Sequence, residues 1–333
     1  MARIRVGVVG VGHLGRIHAR LMPTHETAEF VAVADVSEKN RDLVARTHNV
    51  AAFADYRDLI GKVDAVCLAV PTQLHCEVAS FFLARGVDVL VEKPIAATVA
   101  DGEAMVALAA QHGRILQVGH VERFNPALRA MTELGIQPRY IESQRLAPFS
   151  FRSVDVGVVL DLMIHDLDLV LALMRAPVTK VQAFGGAVFT ANEDMASALL
   201  HFEGGGIAHL TASRVALKAS RRMRVFSRDG YVGMDLTLAK ATLIKKNPGW
   251  EIGQLDLSKY GDSRPEDLWR LVFDGLLTVR ELKLDERNAL QDEQSDFLRA
   301  VAERSRPVVS GEDGCKALAV AQRVIDEIQS IRW

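Results

Sequence analysis

Three residues of this 333-residue chain could take or hold a proton in a reaction. Lys93 stands in Glu92-Lys93-Pro94, directly after the apolar run Val87–Val91. Asp161 and His165 stand four apart in Leu160-Asp161-Leu162-Met163-Ile164-His165-Asp166-Leu167-Asp168. On a helix that spacing puts both on one face. The segment is apolar almost all round, which predicts burial. Burying ionisable groups costs several kcal/mol unless they are paired. A carboxylate one turn from an imidazole meets that need and suits removal of a proton from an alcohol. The same residues also fit a purely structural pair with Asp161 as helix N-cap. Asp166 and Asp168 fall on other faces, either lining the site or holding structure. The tripeptide alone fits a solvated lysine before a loop even more readily, and Pro94 is a candidate for a cis peptide bond.

A place for a redox cofactor lies near the N-terminus. Gly10-Val11-Gly12-His13-Leu14-Gly15 follows the apolar run Ile4–Val9. In a G-x-G-x-x-G loop the first glycine makes the turn, the second admits a pyrophosphate, and the third lets helix and strand pack closely. The following helix offers its unpaired N–H groups to the phosphates. Twenty residues past Gly15 the run Phe30–Ala34 ends in Asp35, where a carboxylate grips the adenosine ribose hydroxyls. NAD is favoured over NADP, because Asp35 repels a 2′-phosphate and no arginine follows it directly. Lys39 and Arg41 are close enough to keep NADP open. Val70-Pro71 breaks a buried apolar strand, and His75 opens the next helix. Val70, Pro71, His75, Glu92 and Lys93 therefore join Gly10, Gly12, His13, Leu14, Gly15 and Asp35 as expected cofactor contacts. A lysine at the carboxyl end of a parallel strand points toward such a crevice. Beside a positively charged nicotinamide its pKa would fall, fitting it to accept a proton.

The elements that position these residues change character along the chain. Strands predicted at 3–9, 29–34, 64–69, 87–91 and 115–118 alternate with helices at 13–22, 38–48, 73–84 and 98–112, which implies a doubly wound parallel sheet. Helices are predicted at 124–134 and 161–174. A run of strands follows: Lys180–Thr190, Met195–Phe202, Gly206–Ser213, Met223–Ser227, Gly230–Asp235 and Ala241–Lys245. Consecutive strands predict a mostly antiparallel sheet. Residues 251–267 read as a loop, Glu281–Leu284 as one more strand, and 290–304 and 311–331 as closing helices. The expected division is an α/β Rossmann domain over 1–120, an α+β domain over 121–310, and a last helix over 311–333 packing back on the first domain.

Composition bounds the partners. Apolar residues make up 49%, charged residues 25%, and the net charge is −2, which leaves no electrostatic footprint for nucleic acid or an acidic membrane. No stretch approaches the length of a membrane span, and the Gly10–Gly15 loop interrupts the N-terminal apolar run too early for a secretory signal. Cys67, Cys76 and Cys315 are widely spaced, which fits reduced thiols in the cytoplasm and no metal site. Arg123 and Asn125, in His120-Val121-Glu122-Arg123-Phe124-Asn125-Pro126, offer donors at the domain junction and are expected substrate contacts. An ordinary charged helix start fits them equally. Arg214, Lys218, Arg221, Arg222 and Arg224 form a solvated rim or face a phosphate-bearing substrate.

Taken together, the order and spacing of these motifs resemble the glucose–fructose oxidoreductase / inositol dehydrogenase (Gfo/Idh/MocA) family over nearly the whole chain. The likeness rests on Gly10–Ala19, Pro71-Thr72-Gln73-Leu74-His75, Glu92-Lys93-Pro94, Arg123–Pro126, Asp161-x-x-x-His165 and Gly311-Glu312-Asp313-Gly314. It implies that Lys93 lies near the nicotinamide, and that Asp161 and His165 bind and deprotonate the reacting hydroxyl. It also implies a homo-oligomer, dimer or tetramer, formed through the second sheet. The stretches Gly119–Pro126 and Asp161–Asp168 look most like UDP-N-acetylglucosamine 3-dehydrogenases. The expected activity is NAD-dependent oxidation of a secondary hydroxyl on a sugar or sugar nucleotide. The alternatives are an inositol or polyol dehydrogenase, an NAD-dependent glycosidase, or an NAD-sensing regulator without catalysis.

Overall fold

A computed structural model describes residues 3–150, 156–228, 230–247, 264–270, 272 and 276–331. The chain begins β1 (Ile4–Val9), α1 (His13–Leu21), β2 (Ala28–Ala34), α2 (Glu38–His48), β3 (Ala51–Phe53), β4 (Ala65–Leu68), α3 (His75–Leu83), β5 (Asp88–Glu92), α4 (Val99–Gln111) and β6 (Leu116–Gly119). It continues α5 (Pro126–Thr132), β7 (Tyr140–Leu146), a π-helical turn (Val159–Met163), α6 (Ile164–Met174), β8 (Val178–Gly186), β9 (Met195–Phe202), β10 (Ile207–Ser213), β11 (Ser220–Phe226), β12 (Gly230–Asp235) and β13 (Lys240–Lys246). It closes with α7 (Pro265–Arg270), β14 (Leu277–Glu281), α8 (Ala289–Glu303) and α9 (Gly311–Ser330). Most of the expected loop over 251–267 lies outside the described residues; Pro265–Arg270 is helical.

Two compact units result. The first reaches to Phe124 and adds Leu167–Leu169 and Arg287–Arg323; the second holds Asn125–Asp166, Val170–Glu286 and the residues from Val324 onward. The first sheet is parallel throughout, in the order β3-β2-β1-β4-β5-β6. Strand order reverses between β1 and β4, the crevice where open α/β sheets bind ligands at their carboxyl ends. β4 is buried along its whole length, as a strand covered on both faces must be. Residues 287–310, expected in the second domain, belong to the first unit. Phe297, Leu298 and Val301 of α8 join the core built from Val6, Val8, Cys67 and Leu90, so apolar burial overrides chain order.

The second sheet runs β14-β13-β12-β11-β7-β10-β9-β8 and is antiparallel except where β7 meets β10. Its central strand β7 escaped sequence reading. The core-facing positions of Tyr140–Leu146 are Ile141, Ser143 and Arg145, so the apolar alternation is broken by two polar residues. β8 ends at Gly186, not Thr190, because the Asp194 carboxylate draws in the amides of Val188, Phe189 and Thr190 at 2.6–2.9 Å. β14 lies at Leu277–Glu281 rather than 281–284, with Val279 opposite Ile244.

Candidate active site

The β1–α1 turn is built for close approach. Gly10 has φ +81°, and a Cβ there would sit 2.6 Å from the carbonyl oxygen of Ala69. A Cβ on Gly15 would fall 1.8 Å from the oxygen of Gly10, so α1 packs on the turn only with glycine present. At Gly12, by contrast, a Cβ would meet nothing within 4 Å. Gly12 caps α1 without a side-chain hydrogen bond, leaving the helix amides for a ligand, and His13 and Leu14 lie exposed in its first turn. Open space over a glycine at a helix N-terminus suits a pyrophosphate.

Asp35 follows β2, and its two oxygens are held apart. Oδ2 accepts from the Val11 amide at 2.7 Å, and Oδ1 from the Ser37 amide at 2.7 Å. A cavity of about 370 Å³ opens beside it, lined by Gly10, Gly12, Asp35, Tyr56, Pro71 and Leu74. Val70 lines it too, and Val36 stands 93% exposed at its rim, an apolar surface suited to the flat face of adenine. Arg41 is engaged within the protein. Its Nη1 donates to the Asp35 carbonyl at 3.0 Å and its Nε lies 3.5 Å from Asp42. These residues fit NAD, with the Asp35 carboxylate beside the cavity; Arg57 lines it too, ion-paired with Asp55 at 3.0 Å.

Lys93 follows β5 in a half-buried turn closed by a cis Lys93–Pro94 bond. Its expected neighbours are spent on holding that turn. His75 is buried, with Nδ1 2.9 Å from the Pro94 carbonyl and Nε2 3.0 Å from that of Val70. Burial pushes its pKa down, and a neutral ring can donate to only one of the two carbonyls. His75 thus ties the β4 loop to the Lys93 turn and does not face the cavity. Glu92 is likewise engaged. Its Oε1 accepts from His18 Nε2 at 2.7 Å, and its Oε2 from the Lys93 amide at 3.3 Å. Burial opposes charge on both partners. Neighbouring Cys67 and the Glu92 carboxylate nonetheless hold the His18 pKa well above its usual value, and His18 in turn holds Glu92 below the usual carboxylate range. His18 lies on the buried face of α1, three residues past Gly15; that helical spacing was the signal available in the sequence.

The other candidates split between the units. Arg123 forms a two-point ion pair with buried Asp168, at 2.6 and 2.9 Å. Asn125 caps α5, accepting from the Ala127 amide at 3.0 Å and donating to the Leu236 carbonyl at 3.1 Å. Both side chains expected to contact substrate therefore hold structure. Asp166 pairs through both oxygens with buried Arg145, at 2.9 Å each.

Asp161 and His165 both lie half-buried in the second unit, astride the junction of the π-helical turn and α6. The helix begins before Asp161, whose amide donates to the Gly157 carbonyl at 3.1 Å, so Asp161 is not an N-cap. π-helical turns widen the helix and recur at functional sites. Val159, Met163, Ile164 and Leu167 are fully buried around them, so the expected burial falls on the apolar neighbours. A clamp unseen in the sequence fixes this helix start: Glu193 Oε1 accepts from the Val159 amide at 3.2 Å, and Arg214 reaches both the Val156 carbonyl and Asp194. Arg214 is thereby removed from the expected basic cluster. Arg222 and Arg224 alternate with buried Met223 and Val225 and so lie on the open sheet face, where they meet Asp235 at 3.9 Å and Glu142 at 3.5 Å.

Among the described residues no three His, Cys, Asp or Glu side chains are placed to hold a metal, and no described helix is long and apolar enough to cross a membrane.

Comparison with known proteins agrees with this architecture. Residues 4–120 match the oxidoreductase family with an NAD-binding Rossmann fold, and residues 138–232 match the GFO/IDH/MocA C-terminal domain. The chain is 35% identical to UDP-N-acetylglucosamine 3-dehydrogenase of Acidithiobacillus ferrooxidans, over 97% of each chain. It is 26% identical to myo-inositol 2-dehydrogenase of Thermotoga maritima, over 99% of this chain and 98% of that one. The solved structure of GnnA, the Acidithiobacillus ferrooxidans UDP-N-acetylglucosamine 3-dehydrogenase, matches with a TM-score of 0.87 at 33% identity, over 99% of each chain. With an NAD cradle, a parallel six-stranded sheet and a mostly antiparallel second sheet, this chain belongs to the Gfo/Idh/MocA family of NAD-binding oxidoreductases.

Proposed function

We propose that this protein oxidises a secondary hydroxyl of a sugar nucleotide, the 3-hydroxyl of UDP-N-acetylglucosamine. The observation that carries this reading is the 35% identity to a UDP-N-acetylglucosamine 3-dehydrogenase along 97% of both chains. Bound NAD supplies the hydride acceptor. The chain's own residues manage the proton. His165, oriented by Asp161, takes it from the hydroxyl; the role proposed for Lys93 is to polarise or relay. Arg123 and Asn125 act by holding the 120–127 segment, through Asp168 and the α5 cap.

Incubation with NAD and UDP-N-acetylglucosamine should produce absorbance at the NADH band, with myo-inositol, scyllo-inositol and free hexoses giving little. Turnover of inositols alone would instead favour the polyol dehydrogenase reading, which the 26% full-length identity to myo-inositol 2-dehydrogenase supports. Release of a free sugar without net NADH would mark a glycosidase. Tight NAD binding without any turnover would mark a sensor.

The second sheet supports a homo-oligomer. One face buries Ile141, Ala208, Met223, Val225 and Val232, while the opposite face leaves Phe184 51% and Val279 47% exposed between polar residues. A second copy covering that face makes a dimer, or two such pairs a tetramer. Free Cys67, Cys76 and Cys315 suit the reducing cytoplasm.

A further inference from the structure

Behind the Lys93 turn lies a buried polar cluster that the proposed chemistry does not use. His18 of α1 joins Glu92 of β5 at 2.7 Å, and its Nδ1 faces the Gln294 side-chain amide of α8 at 3.0 Å. The same Gln294 Nε2 donates to the His18 carbonyl at 3.2 Å, which turns the amide NH2 toward His18. Gln294 Oε1 lies 3.0 Å from His25 Nε2. Next to Gln294 is Glu293, fully buried. Among the described residues neither of its carboxyl oxygens has a hydrogen-bond partner. Its backbone carbonyl accepts from Gln117 Nε2 at 3.0 Å, and Gln117 Oε1 is also unpartnered. An ionised carboxylate without donors, buried close to a second carboxylate, is strongly disfavoured; a neutral acid is much less so.

We propose that Glu293 is a positioning residue for Lys93: held neutral, it lets Glu92 carry the cluster's one negative charge, bonded at once to His18 and to the Lys93 amide. This rests on the role assigned above to Lys93. The charged groups acting on Glu293 are Glu92 on β5, His18 on α1 and Asp296 on α8. Lys93 acts on Glu92, and Cys67 of β4 on His18. Burial first, then the charge of Glu92, pushes the Glu293 pKa well above its usual value. When Glu293 does ionise at alkaline pH, a second negative charge appears behind the Lys93 turn. Glu92 and His18 must then rearrange, and the turn with them.

Glutamine has the shape of the neutral acid and cannot ionise. Three comparisons test the idea. In the pH profile of turnover, Glu293→Gln should move the alkaline limb to higher pH. Turnover by Glu293→Gln should exceed that of Glu293→Ala, which loses the shape as well. In thermal unfolding of the protein without substrate, the Tm of wild type should fall relative to Glu293→Gln as pH rises from about 5 to 8.5. The sign follows from linkage: the folded state keeps a proton that the unfolded chain releases near 4.5, so stability declines above that pH. An unmoved alkaline limb, or a Tm gap that does not change with pH, would overturn the proposal. So would a Gln variant that fails to fold. If no sugar is oxidised by wild type, the reading of Lys93 fails, while the Tm comparison still decides the charge of Glu293.

Discussion

Asp35 reaches back from the end of β2 to accept the Val11 amide at 2.7 Å, so the carboxylate proposed to hold the cofactor's ribose also braces the glycine turn. The cradle is therefore organised before ligand arrives, and little ordering cost falls on binding. Asp35→Ala removes both the ribose acceptor and the brace. Charge-assisted hydrogen bonds contribute about 1.5–3 kcal/mol each, so NAD affinity should fall by roughly 10- to 150-fold, with discrimination against NADP reduced. Calorimetric titration with each dinucleotide checks this; unchanged NAD affinity would remove Asp35 from the site.

The glycines of that turn should separate binding from folding. A methyl group on Gly12 meets no protein atom, so Gly12→Ala should keep the wild-type Tm and lose NAD affinity. A methyl group on Gly15 collides with the Gly10 backbone, so Gly15→Ala should lower the Tm or prevent folding. Equal Tm losses in the two variants would contradict the open space at Gly12.

His165→Ala should bind NAD as wild type does, and both His165→Ala and Lys93→Ala should lose turnover by about 10²- to 10⁴-fold, the usual contribution of a positioned acid or base. Paired NAD titration and steady-state kinetics make the test. A loss confined to KM would leave these residues as mere binding groups.

How much of this was legible in the sequence depends on where each residue's partner lies. Gly10, Gly15 and Asp35 meet backbone close by, so motif and spacing reach the packing of that turn. His75, Glu92, Arg123 and Asn125 stand out in the sequence by chemical type, but their partners do not. Their partners, Pro94, His18, Asp168 and Leu236, are set by packing that spacing does not encode. β7 was missed for the same reason. Arg145 looks like a surface residue until Asp166 is brought against it.

That buried pair makes its own prediction. Arg145 and Asp166 are each 2% exposed, so removing one partner leaves a buried charge. Asp166→Ala should cost about 3–5 kcal/mol, whereas Arg145→Met with Asp166→Leu should cost much less. Urea unfolding of the single and double variants decides it; additive losses would mean that the pair is not coupled.

Asp194 should give the protein an acid limb of stability. Burial works against its charge, but the amides of Phe189, Thr190 and Val188 outweigh it and bring the pKa to about 2 from 3.8. A folded pKa below the unfolded one contributes stability at neutral pH that disappears as pH falls from about 4 toward 2. Asp194→Asn cannot use that charge. It should be less stable than wild type by about 1–2 kcal/mol above pH 5, allowing for solvent screening at the loop, and the gap should close near pH 2. The neighbouring Glu193 holds the Val159 amide at the start of the helix that carries Asp161 and His165. Loosening the 188–194 turn should therefore lower kcat while leaving NAD affinity as it was. Unfolding curves across pH, read beside kinetics at pH 7, test both halves. A variant with full kcat would show that the clamp supports the fold but not the helix that carries Asp161 and His165.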